Sequence, residues 1–193
     1  LNPAWQVLTP SWIRLDPLSG VLHLQAVQGD TTLLRLPLQP DGTPISLEVY
    51  LDWNRAEWAS GLEIDLQPME GEGLQWLLGS WGGSAWLERQ IGQVSEAPLL
   101  TWPVLNAAVQ DRLELGFWWL EGRPMMRLLK NGENIQLPPL NISELPQDQA
   151  YWELTLRARN LQDGSQGMMS EVDIHSIKLG GFQIRAEAAP PLD

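Results

Sequence analysis

Glu63 and Asp65 stand two residues apart in Leu62-Glu63-Ile64-Asp65-Leu66, where apolar and acidic residues alternate strictly. A period of two puts both carboxylates on one face of a strand. Carboxylates that share one face are candidates for proton-transfer chemistry. The second group of interest is the tryptophans, which make up eleven of the fifteen aromatic residues. An indole fills a large core space, yet its N–H needs a partner when buried. Each tryptophan is therefore either a core filler or a flat surface on which a ligand stacks.

Other chemistries find little support. His23 and His175 are the only histidines, both within strand patterns, and no serine sits in a nucleophile-elbow context. There is no His-x-x-x-His pair and no Asp-x-Asp-x-Asp-Gly loop. Asp163-Gly164-Ser165-Gln166-Gly167 holds one carboxylate and is expected to be a plain turn. The absence of cysteine excludes disulfides, thiolate metal sites and cysteine nucleophiles. No metal or cofactor is expected.

The elements that must position these residues are strands. Ile45, Leu47, Val49 and Leu51 alternate with Ser46, Glu48, Tyr50 and Asp52; Leu113, Leu115 and Phe117 alternate with Glu114 and Gly116. Trp152, Leu154, Leu156 and Ala158 alternate in the same way with Glu153, Thr155 and Arg157. Each pattern describes a strand with one dry and one wet face. Further strands are expected at Trp12–Leu15, Val21–Val27, Thr32–Leu36, Leu74–Leu78, Ala85–Ile91, Met125–Leu129, Asn134–Leu137 and Glu171–Leu179. Asn131-Gly132 reads as a type I′ hairpin turn, and Glu121-Gly122-Arg123-Pro124 as a second hairpin. Asp41-Gly42 and Asp163-Gly164 are also turn signals. In the last strand, Val172 and Ile174 share one phase and Ile177 and Leu179 the other, which predicts a β-bulge near His175–Ser176. Short helical turns are expected at Val104–Gln110 and Asn141–Leu145.

About a dozen short strands without crossover helices imply two antiparallel sheets packed face to face, a jelly-roll sandwich, with a closed barrel as the alternative. A chain of 193 residues fits one such domain over residues 1–185, with residues 186–193 as a tail or linker. The net charge of −12, with basic residues scattered singly, argues against nucleic acid as a partner. The uncharged stretch Ala97–Gln110 is interrupted by prolines and falls short of the roughly 20 apolar residues of a spanning helix. No membrane insertion is therefore expected. The start at Leu1 suggests a domain of a longer or processed protein with neighbouring domains, exported or at a cell surface.

Three places resemble the concanavalin A-like lectin/glucanase superfamily in its laminin-G-like form. They are Leu47–Leu51 followed by Gly61–Leu66, the meander through Arg112–Leu115 and Met126–Glu133, and the closing Glu171–Leu179. The resemblance implies a two-sheet jelly roll and, often, carbohydrate or protein binding. Glu63-Ile64-Asp65 also resembles the start of the laminarinase-type catalytic motif. That likeness would make Glu63 the nucleophile and Asp65 its helper. The acid should then stand two or three residues on, where this chain has Gln67 and Pro68. Retaining hydrolysis needs two carboxyl groups about 5 Å apart, and neither Gln67 nor Pro68 supplies one. A glycosidase is therefore disfavoured against a non-catalytic recognition or accessory module for glycans or a protein surface. A purely structural domain is the third reading.

In the binding reading, sugars pack on indole faces while polar groups hold their hydroxyls. Trp53 and Trp58 flank the Asn54–Ala59 loop, Trp81 sits among small residues, and Trp118 takes the wet phase if Phe117 takes the dry one. These four, with Glu63 and Asp65, are the candidate site. Trp76 and Trp152 are expected in the core, Trp86 is undecided because Leu87 competes for the same face, and Trp5, Trp12 and Trp102 are expected to seal the sandwich ends.

Overall fold

The structure is a computed structural model that describes residues 5–7, 13–26, 31–54, 60–68, 70, 73–81, 84–91, 94–95, 98–103, 111–120, 123–137, 151–160 and 170–185. Among these residues there are sixteen strands and no helix. The expected helical turns at 104–110 and 141–145, the Asp163-Gly164 turn and the tail 186–193 lie outside the described residues.

The strands form two antiparallel sheets. The larger runs in the order β1 (Gln6–Val7), β4 (Thr31–Pro40), β14 (Trp152–Asn160), β6 (Ser60–Pro68), β7 (Leu74–Trp81), β8 (Ser84–Ile91) and β10 (Leu100–Pro103). Two short strands flank this path: β16 (Phe182–Ile184) on β4 and β9 (Val94–Ser95) on β8. The smaller sheet runs β13 (Glu133–Ile135), β12 (Arg123–Lys130), β11 (Asp111–Leu120), β5 (Ser46–Asn54), β15 (Ser170–Gly180), β3 (Leu22–Ala26) and β2 (Ile13–Leu15). Each sheet ends in edge strands, so the fold is a sandwich and the barrel alternative fails.

The core lies where the alternation places it. Leu34, Leu36 and Leu38, Leu62, Ile64 and Leu66, and Leu74, Trp76 and Leu78 turn inward from the larger sheet. Leu47, Val49 and Leu51, Leu113, Leu115 and Phe117, and Val172 and Ile174 meet them from the smaller. Burial of such rows is the main term holding the sheets together. Asn131 and Gly132 have φ of 53° and 85°, as a type I′ turn requires. The expected bulge is present: Ile174 pairs with Leu51 and Ser176 with Tyr50, leaving His175 as the extra residue.

Prolines lie within two strands that the sequence reading ends early. Pro68 closes β6 opposite Trp152, while pairing with β7 stops at Leu66. Pro68 thus leaves the ladder on the β14 side in place. Pro37 lies inside β4, in the gap between the residues covered by β1 (Leu34, Arg35) and by β16 (Leu38–Pro40). Its carbonyl accepts the Arg185 N–H at 3.1 Å, and the N–H that a proline lacks falls in this gap. The strands β1, β9, β10 and β16 were not foreseen, because two to four residues are too few for a period to show.

Candidate functional site

The central strands of the larger sheet, β14, β6, β7 and β8, carry polar residues on the face turned away from the core. Glu63 (3% exposed), Asp65 (7%), Leu77 (5%) and Thr155 (7%) all point outward, yet all are closed off from bulk water. Cross-strand register brings residues distant in sequence side by side. Arg157 faces Glu63, and its Nη1 donates to Glu63 Oε2 at 2.8 Å. Thr155 faces Asp65 on one side and Arg35 on the other. Thr155 Oγ1 donates to Glu153 Oε1 at 3.1 Å, and Arg35 Nε lies 3.1 Å from the same oxygen. Two ion pairs, Arg157–Glu63 and Arg35–Glu153, therefore span this face. Gln67, which stands where a third motif carboxylate would be, faces Glu153.

The aromatic component of this face is Trp86. Leu87 turns inward and is fully buried, so Trp86 on β8 turns out. Its register partner is Gly79, whose other neighbour is Gly61. A Cβ at Gly79 would collide with the indole, so the ring lies directly over that glycine. Glycine inside a strand commonly marks such a close approach. The Trp86 Nε1 is buried and has no hydrogen-bond partner among the described residues. Trp86 stands two residues from Glu88, and Leu77 lies between Glu88 and Glu63 across the sheet. An indole and a guanidinium–carboxylate pair thus share one outer face.

The structure separates the residues grouped from the sequence. Glu63 and Asp65 do share a face. Trp53 is a correction: it is 0% exposed, on the inner face of β5 and edge-on to Trp102 with ring centroids 6.4 Å apart. The physical reason is phase, since Trp53 continues the inward series Leu47, Val49, Leu51. It cannot converge with Glu63 and Asp65 on a ligand. Trp58 lies outside the described residues, and Trp81 is the last residue of β7, opposite Ser84. Trp118 is half-buried on the outer face of the smaller sheet, over Gly116, and so lies on the opposite side of the sandwich from Glu63. Trp76 and Trp152 are core residues, as expected. Trp102 is buried and its Nε1 donates to Asp111 Oδ2 at 3.0 Å. Trp12 lies outside the described residues.

Sequence reasoning missed Arg157 and Trp86. The only signals were glycines at 61 and 79 within strand patterns and an arginine on a wet phase. Among the described residues, no group of three or more histidines and acids is placed to hold a metal ion, and no helix is long and apolar enough to cross a membrane.

The chain is an all-β sandwich of two antiparallel sheets, one of which carries aromatic and charged residues on its outer face. No family pattern matches the chain, and no characterised protein matches it by sequence. Solved structures do share the fold. One is a sialidase, at 14% identity and a TM-score of 0.55 over 92% of this chain and 17% of that one. A second is a xylan β-1,4-xylosidase from Bacillus halodurans C-125, at 14% identity and 0.62 over 93% of this chain and 37% of that one. A third is the CBM2 module of an evolved Dit protein of Lactobacillus casei BL23 phage J-1, at 7% identity and 0.60 over 92% of this chain and 81% of that one. The chain thus spans well under half of the sialidase and the xylosidase and most of the phage module.

Proposed function

We propose that this chain is a non-catalytic glycan-binding module of the concanavalin A-like type, with its ligand on the outer face of the larger sheet. The observation that carries this reading is the Trp86 indole spread over Gly79 on the same face as the Glu63–Arg157 pair, whose guanidinium is accessible. A pyranose face packs on the indole, while the accessible Arg157 and Arg35 guanidinium groups and the Glu153 carboxylate bind its hydroxyls. The likeness to a carbohydrate-binding module and to two enzymes whose names place them on glycans supports the ligand class. Against catalysis stand Gln67 in place of a third carboxylate and the Arg157 guanidinium held on Glu63.

The test is binding to a glycan array by wild type and Trp86→Ala, with hydrolysis of the bound glycans measured in parallel. Loss of the indole is expected to weaken binding by about 30-fold, roughly 2 kcal/mol, with the fold unchanged by circular dichroism. No hydrolysis is expected. Equal binding by the variant would remove Trp86 as the platform. Hydrolysis abolished by Glu63→Gln would make the chain a glycosidase instead.

A further inference from the structure

The outer face of the smaller sheet holds a cavity of about 460 Å³ that the reading above does not use. It is lined by Tyr50, Asp52, Arg112, Glu114, Asn131 and Gly132. Tyr50 faces Glu114 and Asp52 faces Arg112 across the β5–β11 ladder, so one row of each strand forms the floor. The type I′ turn closes one end and is locked to β11. Asn131 Oδ1 accepts the Arg112 N–H at 2.8 Å, and the Asn131 N–H donates to the Arg112 carbonyl at 2.8 Å. Asn131 Nδ2 donates to Asp111 Oδ1 at 3.2 Å. The bulge at His175 brings its imidazole to Asp52, with Nε2 and Oδ2 2.8 Å apart, and onto the Tyr50 ring at 4.9 Å between centroids.

Within this frame several polar groups remain available. Among the described residues, the Glu114 carboxylate and the Tyr50 hydroxyl make no hydrogen bond or ion pair. Arg112 engages Asp52 through Nε, at 3.3 Å. The geometry points to a second saccharide site here, on the opposite side of the sandwich, for a neutral sugar unit. The mixture of charges decides the ligand class. An anion would meet Glu114 and Asp52, and a cation would meet Arg112. A neutral polyol uses both, its hydroxyls donating to Glu114 and accepting from Arg112 and Tyr50.

Trp118 extends the site. The outer face of β11 reads Arg112, Glu114, Gly116, Trp118, and a Cβ at Gly116 would lie 3.1 Å from Trp118 Cζ3. The indole therefore covers the gap left by glycine, about 7 Å along the strand from Glu114 at the usual rise per residue. It offers a stacking face for a neighbouring sugar of the same chain. Sites on opposite faces cannot share one ligand unit, so the protein bridges two glycan strands and gains avidity from both.

The experiment is amide NMR and calorimetric titration with neutral β-glucan, xylan and mannan hexasaccharides, using wild type, Trp86→Ala, Tyr50→Phe and Glu114→Gln. Shifts at Tyr50, Glu114, Asn131 and Gly132 are expected in wild type and in Trp86→Ala alike. Glu114→Gln is expected to weaken that component about tenfold, the loss of one hydrogen bond to a charged group. Tyr50→Phe serves as the milder variant that keeps the ring packing. No shift at these residues from any neutral hexasaccharide overturns the second site, as does a preference there for galacturonate oligomers or for basic peptides. Binding at this cavity with none at Trp86 would leave the second site standing and sink the first.

Discussion

The two outer faces of the sandwich use similar residues in opposite ways. On the larger sheet, Glu63 is almost fully buried and its partner Arg157 is a cross-strand neighbour at 2.8 Å. On the smaller sheet, Glu48 and Lys178 are also cross-strand neighbours, but they lie 3.7 Å apart with side chains 50% and 74% exposed. A pair with one partner withdrawn from water costs more to break than a pair exposed at both ends. Each face also carries one tryptophan laid over a glycine: Trp86 over Gly79 and Trp118 over Gly116. The first contact is so close that no Cβ fits, while the second asks for a shift of only a few tenths of an ångström. The lesson is that the larger sheet presents a prearranged, closed-off surface and the smaller an open one. Similar residue types differ in energy by where the sheet places them.

Three pairs of variants test this contrast. The largest effect belongs to the two faces of the smaller sheet. Trp53→Ala should cost about 3–5 kcal/mol of unfolding free energy, and Trp118→Ala less than about 1 kcal/mol. Equal losses in urea denaturation would contradict the inner and outer placements. Next comes the comparison of ion pairs. Arg157→Ala should cost about 2–3 kcal/mol, below the full value for a buried pair because its guanidinium side chain is 38% exposed. Lys178→Ala should stay within about 0.5 kcal/mol. The contrast fails if the Lys178 variant loses as much as the Arg157 variant. The smallest stability effect is in the glycines. Gly79→Ala should cost about 1–3 kcal/mol and shift the indole fluorescence, whereas Gly116→Ala should cost less than about 1 kcal/mol. A silent Gly79→Ala would mean that Trp86 moves aside freely and is no fixed platform.

Much of the fold was legible because alternation is a local signal. The dry phases of β5, β6, β11 and β14, the Asn131-Gly132 turn and the bulge at His175 all follow from neighbouring residues. Trp53 was legible too, since it shares the phase of Leu51, but its place beside a loop drew it into the wrong group. Trp86 was not. Two large apolar residues in succession, Trp86 and Leu87, leave the phase open until Gly79 is known to lie opposite. The pairing of Glu63 with Arg157 was equally hidden, because 94 residues separate them.

By itself, the sequence determined that this chain is built of alternating strands, which of their residues turn inward, and that two acids share the wet face of β6. Period two acts within a strand, so these conclusions need no partner. Tertiary structure alone decided which strands are neighbours, and with them the company each side chain keeps. Register put Arg157 on Glu63, Trp86 on Gly79, and His175 and Arg112 on Asp52. It also set Trp118 and Glu63 on opposite sides of the sandwich. Register arises from the packing of two whole sheets against each other, and no short stretch of sequence carries that information.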